Sequence, residues 1–307
     1  MDTIRISSLK RQCYTKKLTG KEFYLNDHII NGEKILPGVI YIEMARAASK
    51  NACECEINRI KNIVWSQPIS VNNICDVNIE VKNVEVDIIK YRITTKAEKN
   101  EIIHSQGIAL HDSTILNREI FSQTFPIEMY KERCNKFIDK ENFYKSSLTS
   151  VYQYGITFRP ITELYSNTSE ALAFLEIPQE RLDTYREFTL HPSILEGGLQ
   201  SITGLLSDSQ RTPFMPYSIE DIKIYRKLHQ KCVAYTTYSE KTKEKYLKKF
   251  NIKIFDMDGY ILAEIRNYTI RNIPQISQNK YMDNTISDNN ILMYHYEWKK
   301  EEEQDIE

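Results

Sequence analysis

Residues Tyr24–Ala48 read YLNDHIINGEKILPGVIYIEMARAA, and the reading of this stretch decides the fold. It holds one histidine, His28, followed by Gly32 and then Pro37. Beyond Pro37, the residues Ile40, Met44, Ala47 and Ala48 fall on one helical stripe. The spacing therefore predicts a buried helix that ends near Asn51. A histidine on a short loop ahead of such a helix is well placed to act as a base. The helix N-terminus supplies backbone N–H groups that have no intrahelical acceptor, together with the positive end of the helix dipole. Both would stabilise an oxyanion formed beside them.

Outward from this stretch, the chain has 307 residues and a net charge of -1. That length can bury one large core or two ordinary ones. The charge balance gives no electrostatic case for a nucleic acid or an anionic membrane as partner. No apolar run approaches the roughly 20 residues that span a bilayer. The opening MDTIRISSLKRQCYTKK lacks the apolar core of a signal peptide. Among six cysteines, Cys53 and Cys55 are the close pair, and no histidine stands near them at zinc spacing. No metal site is expected, and the thiols read as free in a reducing cytoplasm.

The pattern after the helix is a meander. Asn62–Val71 is strand-like, with Pro68 at an edge or bend. Val77, Ile79 and Val81 alternate, as do Val84, Val86 and Ile88, and Tyr91–Thr95 and Ile102–Leu110 follow. Lys21–Leu25 reads as a strand. Residues 112–140 are a polar connection, read as a linker, and a helix fits Asn142–Ser150. The second half repeats the plan. Ala171–Ile177 is a strand, and Leu190–Leu206 is a helix with Pro192 in its first turn. Strands follow at Ile222–Tyr225, Lys231–Tyr238 and Lys249–Phe255, and Asp258-Gly259 signals a hairpin. The boundaries are thus 1–111, linker 112–140, 141–275, and 276–307 as a polar linker with the start of a following region.

Three further blocks accompany the first. They are His191–Gln200 (HPSILEGGLQ), Val151–Leu164 (VYQYGITFRPITEL) and Met215–Ser218 (MPYS) with Ile224-Tyr225. In the second block, Glu196 and Gln200 are four residues apart and share a helix face, so the amide can hold the carboxyl group. On helix geometry alone, Glu196 reads as a solvated carboxylate, and His28 alone as a satisfied loop histidine. The four blocks together resemble the dehydratase domains of modular polyketide synthases. The first matches HxxxGxxxxP through His28, Gly32 and Pro37. The second resembles HPxxLDxxxQ through His191, Pro192, Leu195 and Gln200, with Glu196 where the family usually has Asp. The third resembles YGxxFxxxxxL through Tyr154, Gly155, Phe158 and Leu164.

The resemblance implies an α+β double hot-dog fold, two antiparallel sheets each wrapped around a central helix. It implies a 3-hydroxyacyl substrate on the phosphopantetheine arm of an acyl carrier protein, and no cofactor of the protein's own. His28 would remove the α-proton and Glu196 would protonate the departing hydroxyl. The Gly38 N–H would hold the thioester oxygen, with Tyr154, Gly155 and Gln200 around the substrate. Gly32, Pro37, His191, Pro192, Leu195 and Phe158 would shape the motifs. A second copy as dimer partner, a cytoplasmic location and origin in a larger synthase are also implied. Glu at position 196 keeps dehydration first while admitting double-bond isomerisation, oxygen-ring closure or a non-catalytic domain. A thioesterase on the same fold is disfavoured by the His28 block.

Overall fold

Two helices here bury most of their residues, and such helices must be enclosed by other elements. The computed structural model describes residues 3–7, 11–85, 88–97, 100–115, 122–145, 152–206, 214–239 and 246–272. The expected tail 276–307 and the expected helix end at 146–150 lie outside these residues. The first half opens with strands β1 (Thr3–Ser7) and β2 (Arg11–Leu18) and the short helix α1 (Phe23–Asn26). The hairpin β3 (His28–Ile30) and β4 (Glu33–Lys34) leads into helix α2 (Gly38–Cys53). Strands β5 (Arg59–Trp65), β6 (Cys75–Glu85), β7 (Ile88–Lys96) and β8 (Glu101–Leu110) complete it.

The second half begins with α3 (Ile127–Glu132), β9 (Lys136–Asp139), α4 (Lys140–Lys145) and β10 (Tyr152–Tyr154). Then come β11 (Ile161–Ser166), β12 (Glu170–Glu176) and helix α5 (Pro192–Gln200). Strands β13 (Phe214–Ile224), β14 (Lys231–Tyr238), β15 (Leu247–Phe255) and β16 (Ile261–Asn272) close it.

Strands β1-β2-β6-β7-β8-β5 wrap α2, and β13-β16-β15-β14-β12-β11-β9 wrap α5. This is the double hot-dog arrangement. Its two sheets are joined edge to edge, because β5 pairs antiparallel with β13, with Ile63 opposite Ile219 and Ile60 opposite Ile222. The result is one continuous sheet of 13 strands. Helix α2 buries Val39, Ile40, Tyr41, Ile42, Ala45 and Ala48 against it, and α5 buries Ile194, Leu195 and Leu199. Each large apolar side chain so enclosed contributes roughly 1.5–3 kcal/mol. Arg59 of β5 reinforces the seam through Asp221 of β13, with both bonds at 2.8 Å.

Four local expectations are corrected. Residues 23–26 form α1 rather than a strand, because the Glu22 carboxylate reaches back to the Thr19 N–H at 2.9 Å and turns the chain. The 112–140 segment is no free linker. Phe125 stacks on Phe255, its N–H bonds the Gly259 carbonyl at 2.8 Å, and β9 pairs with β11. The 190–206 helix is α-helical only to Gln200 and continues as a 3-10 turn over Ser201–Leu205. There, the Ser201 and Thr203 hydroxyls each donate to the carbonyl three residues back, at 2.7 and 2.9 Å, competing with the α-helical pattern. Finally, Cys53 and Cys55 are joined as a disulfide, while Cys75, Cys134 and Cys232 are free thiols. Glu54, with φ 55°, folds the backbone back between the pair. Among the described residues, no helix is long and apolar enough to cross a membrane.

Candidate active site

The first motif acts through its turn. Asn31 and Gly32 have φ of 50° and 81°, the positive pair that a tight two-residue hairpin requires. The hairpin sets Ile35 opposite His28, and the Ile35 N–H donates to the His28 carbonyl at 3.1 Å. The Ile35 carbonyl in turn lies 2.8 Å from His28 Nδ1. A carbonyl can only accept, so Nδ1 carries the ring hydrogen and Nε2 holds the lone pair. No partner for Nε2 stands among the described residues. Burial pushes the imidazole down to about 4, so it is neutral at pH 7. Pro37 caps α2, and Gly38 opens it where an added Cβ would lie 3.3 Å from the Trp65 indole.

The second half reaches across to this histidine. Strand β10 pairs with β3, setting Tyr154 opposite His28, with ring centroids 5.9 Å apart. Phe158 meets the same imidazole edge-to-face at 5.4 Å. The junction is clamped by Asp27, the residue before His28. Its carboxylate accepts from the Thr157 N–H at 3.1 Å, from the Thr157 hydroxyl, and from Arg181 at 3.1 Å. Gly155 serves that clamp. Its N–H donates to the Asp27 carbonyl at 2.8 Å, and a Cβ there would lie 2.2 Å from Asp27 Oδ1. Its close approach is to Asp27, and it is not among the cavity-lining residues.

Helix α5 brings the carboxyl group of Glu196. His191 is its N-cap: Nδ1 accepts from the Ser193 N–H at 3.3 Å, and Nε2 meets the Thr184 hydroxyl at 3.0 Å. Pro192 and Leu195 are buried beside it. Glu43 of α2 accepts from the N–H groups of Thr189 and Leu190, at 3.0 and 3.3 Å, tying the start of α5 to α2. Glu196 faces the cavity, and burial raises its carboxyl to about 7 against the opposing pull of the Gln200 hydrogen bond. Gln200 is itself held, donating to the Phe158 carbonyl at 3.1 Å and accepting from the Tyr144 hydroxyl at 3.0 Å.

A cavity of about 130 Å³ therefore has His28, Gly38, Tyr154, Glu196 and Gln200 on its wall. Met215 and Pro216 of the fourth block line it as well. It gathers a neutral imidazole lone pair, a carboxyl poised near neutrality and a helix N-terminus. That set can move one proton off and another on. Gly32, Pro37, His191, Pro192, Leu195 and Phe158 stand behind the wall. Tyr41, Trp65, Tyr144, Tyr152 and Tyr268 also line the cavity, and sequence reasoning missed them. Tyr41 and Tyr152 lie inside the first and third blocks but at no motif position, Trp65, Tyr144 and Tyr268 lie outside every block, and the pairing of β10 with β3 brings Tyr152 in.

The model for "Polyketide synthase dehydratase N-terminal domain" matches residues 123–280, and that for "Polyketide synthase dehydratase domain" matches residues 3–96. Polyketide synthase PksN of Bacillus subtilis is 26% identical over 95% of this chain, which spans 5% of PksN. A trans-AT polyketide synthase dehydratase domain from Brevibacillus brevis is 28% identical, with a TM-score of 0.79, and covers 87% of this chain and 96% of its own. The CurK dehydratase of curacin synthase, solved as an inactive mutant with a histidine changed to phenylalanine, is 22% identical with a TM-score of 0.78. That match covers 90% of this chain and 97% of CurK's. The present chain belongs to the polyketide synthase dehydratase family.

Proposed function

We propose that this chain removes water from a 3-hydroxyacyl thioester on the phosphopantetheine arm of an acyl carrier protein, giving the 2-enoyl thioester. The observation that carries the reading is one cavity wall bearing a neutral, one-sided imidazole and a carboxyl raised to about 7. In this reading, His28 Nε2 takes the α-proton. The thioester oxygen gains charge against the Gly38 N–H at the start of α2. Protonated Glu196 donates to the β-hydroxyl, the C–O bond breaks, and water leaves. The imidazolium and the Glu196 carboxylate then return to their resting forms by one net proton transfer. General base and general acid each account for roughly 10²–10⁴-fold.

Glu196 is one methylene longer than the family's usual Asp. This observation favours, as a second reading, movement of an enoyl double bond from α,β to β,γ with His28 as the proton carrier. The long curated relatives support a carrier-protein partner and a place within a larger synthase. A second copy of the domain as dimer partner, a cytoplasmic location and the absence of a resident cofactor belong to the same reading.

The test is mass spectrometry of a carrier protein loaded with a 3-hydroxyacyl chain. A parallel sample carries the matching 2-enoyl chain in deuterated water. Loss of one water supports dehydration. Deuterium at the γ-carbon with no water loss replaces it with isomerisation, and release of free acid replaces it with a thioesterase.

A further inference from the structure

Strand β16 carries a bulge beside the cavity. Asn267 has φ 50°, and the register with β15 shifts around it, between Phe250 and Ile252, where β16 holds one residue more than its neighbour. Side chains fix the bulge. The Asn267 N–H donates to Asn251 Oδ1 at 3.0 Å, its amide donates to the Glu220 carboxylate at 2.5 Å, and the Ser239 hydroxyl donates to its Oδ1. Bulges re-aim the side chains that follow them. The next residue, Tyr268, lines the cavity while only 2% exposed.

Its hydroxyl is unlike most of the cavity's other phenols. Tyr41 accepts from the Ile69 N–H at 3.0 Å, Tyr144 donates to Gln200, and Tyr152 donates to the Phe214 carbonyl. The Tyr268 hydroxyl has no hydrogen-bond partner among the described residues, although it lies within electrostatic reach of Glu196. A hydroxyl that opens on a cavity without a protein partner is met by water or by a ligand. Water can do so in the empty cavity, but an acyl chain that displaces this water must replace its bond.

The cavity continues past Glu196 and the end of α5 to Thr203 of the 3-10 turn, seven residues on, or roughly 10–12 Å at the two helical rises. Phe214 and Pro216, from the strand paired with β16, line it too. We propose that the Tyr268 hydroxyl is a polar subsite for an oxygen on the acyl chain beyond the reacting carbons. Its ligand class is a 3-hydroxyacyl chain with a second hydroxyl or keto oxygen. This rests on the dehydratase reading, under which a chain built in two-carbon units keeps its other oxygens at odd-numbered carbons such as C5 and C7. A site built to bond a hydroxyl discriminates against the analogue that lacks it.

The experiment is calorimetric binding of pantetheine amides, which cannot be hydrolysed as thioesters can. One carries 3-hydroxyoctanoate, and two others add a hydroxyl at C5 or at C7. The wild-type protein and Tyr268→Phe, which loses one oxygen and keeps the ring, are compared. The wild type should bind one of the dihydroxy amides about 10-fold more tightly than the plain one, and Tyr268→Phe should bring that ratio to about one. A ratio near one in the wild type, or a preference that survives in Tyr268→Phe, overturns the proposal. Failure of all the amides to bind overturns it as well. Binding is read without turnover, so absence of water loss in the mass-spectrometric assay counts against the dehydratase reading alone.

Discussion

The chain buries two histidines whose acidities are alike and whose surroundings are not. Burial lowers both His28 and His191 to about 4. His191 uses both ring nitrogens, one as acceptor for the Ser193 N–H and one toward Thr184. His28 uses only Nδ1, and its other nitrogen belongs to the cavity wall. The comparison teaches that a displaced pKa marks burial, whereas an unspent nitrogen marks a place for chemistry. His191 is a cap that orients the helix of the acid, and His28 is read as the base itself.

The strongest way to break this contrast is Glu196→Gln, which keeps the shape of the wall and removes the acid. Water loss from the carrier-bound substrate should fall about 10²–10⁴-fold, measured by product mass over time. Glu196→Asp restores the family's usual residue on a wall shaped for Glu. The acid is then withdrawn by about 1 Å, and a loss of up to about 10²-fold in kcat is expected. Equal or higher activity in Glu196→Asp would show that the extra methylene does nothing for this reaction.

The pH dependence sharpens the comparison. His28 is neutral above about 4 and Glu196 protonated below about 7, so with the proposed roles kcat/KM should rise through the first value and fall through the second. Stability moves in two directions. Between about 4 and 6.5 the unfolded chain binds more protons at His28 and His191 than the fold does, so these residues make stability increase with pH. Glu196 acts oppositely between 4.5 and about 7, where the fold holds its proton more tightly. His191→Ala should flatten the histidine part of this rise in a Tm-against-pH series. It should also cost about 2–4 kcal/mol through the lost cap and the cavity left behind.

The smallest expected effect is at the turn. Gly32→Ala meets nothing within 4 Å, so it loses only the comfort of φ 81°, about 1–2 kcal/mol by chemical denaturation. Gly155→Ala would drive its methyl into Asp27 and should cost more. Equal costs at the two glycines would contradict the reading of Gly155 as a clamp residue.

Much of the fold was legible because each half advertises itself. The α2 stripe, the alternating β6 residues and the Asp258-Gly259 hairpin are local patterns, and local patterns survive folding. The ends of elements were less legible. The α1 turn depends on Glu22 reaching Thr19, and the 3-10 turn depends on hydroxyls that compete with the helix ladder. The assignment of 112–140 as a linker failed because Phe125 and β9 find partners more than a hundred and about 25 residues downstream, respectively. At the site, the motifs led to His28, Gly38, Tyr154, Glu196 and Gln200, all of which meet at one cavity. Asp27, Glu43 and Tyr268 stayed hidden, since their roles come from long-range contacts and from a strand bulge at Asn267.

The most direct measurement is water loss from a carrier-bound 3-hydroxyacyl chain with wild type, His28→Ala and His191→Ala in parallel, each corrected for its folded fraction. The account predicts that His28→Ala loses about 10²–10⁴-fold while folded His191→Ala stays within about tenfold of wild type. Retained activity in His28→Ala, or an equal collapse of both variants, would contradict the division of the two histidines into base and cap.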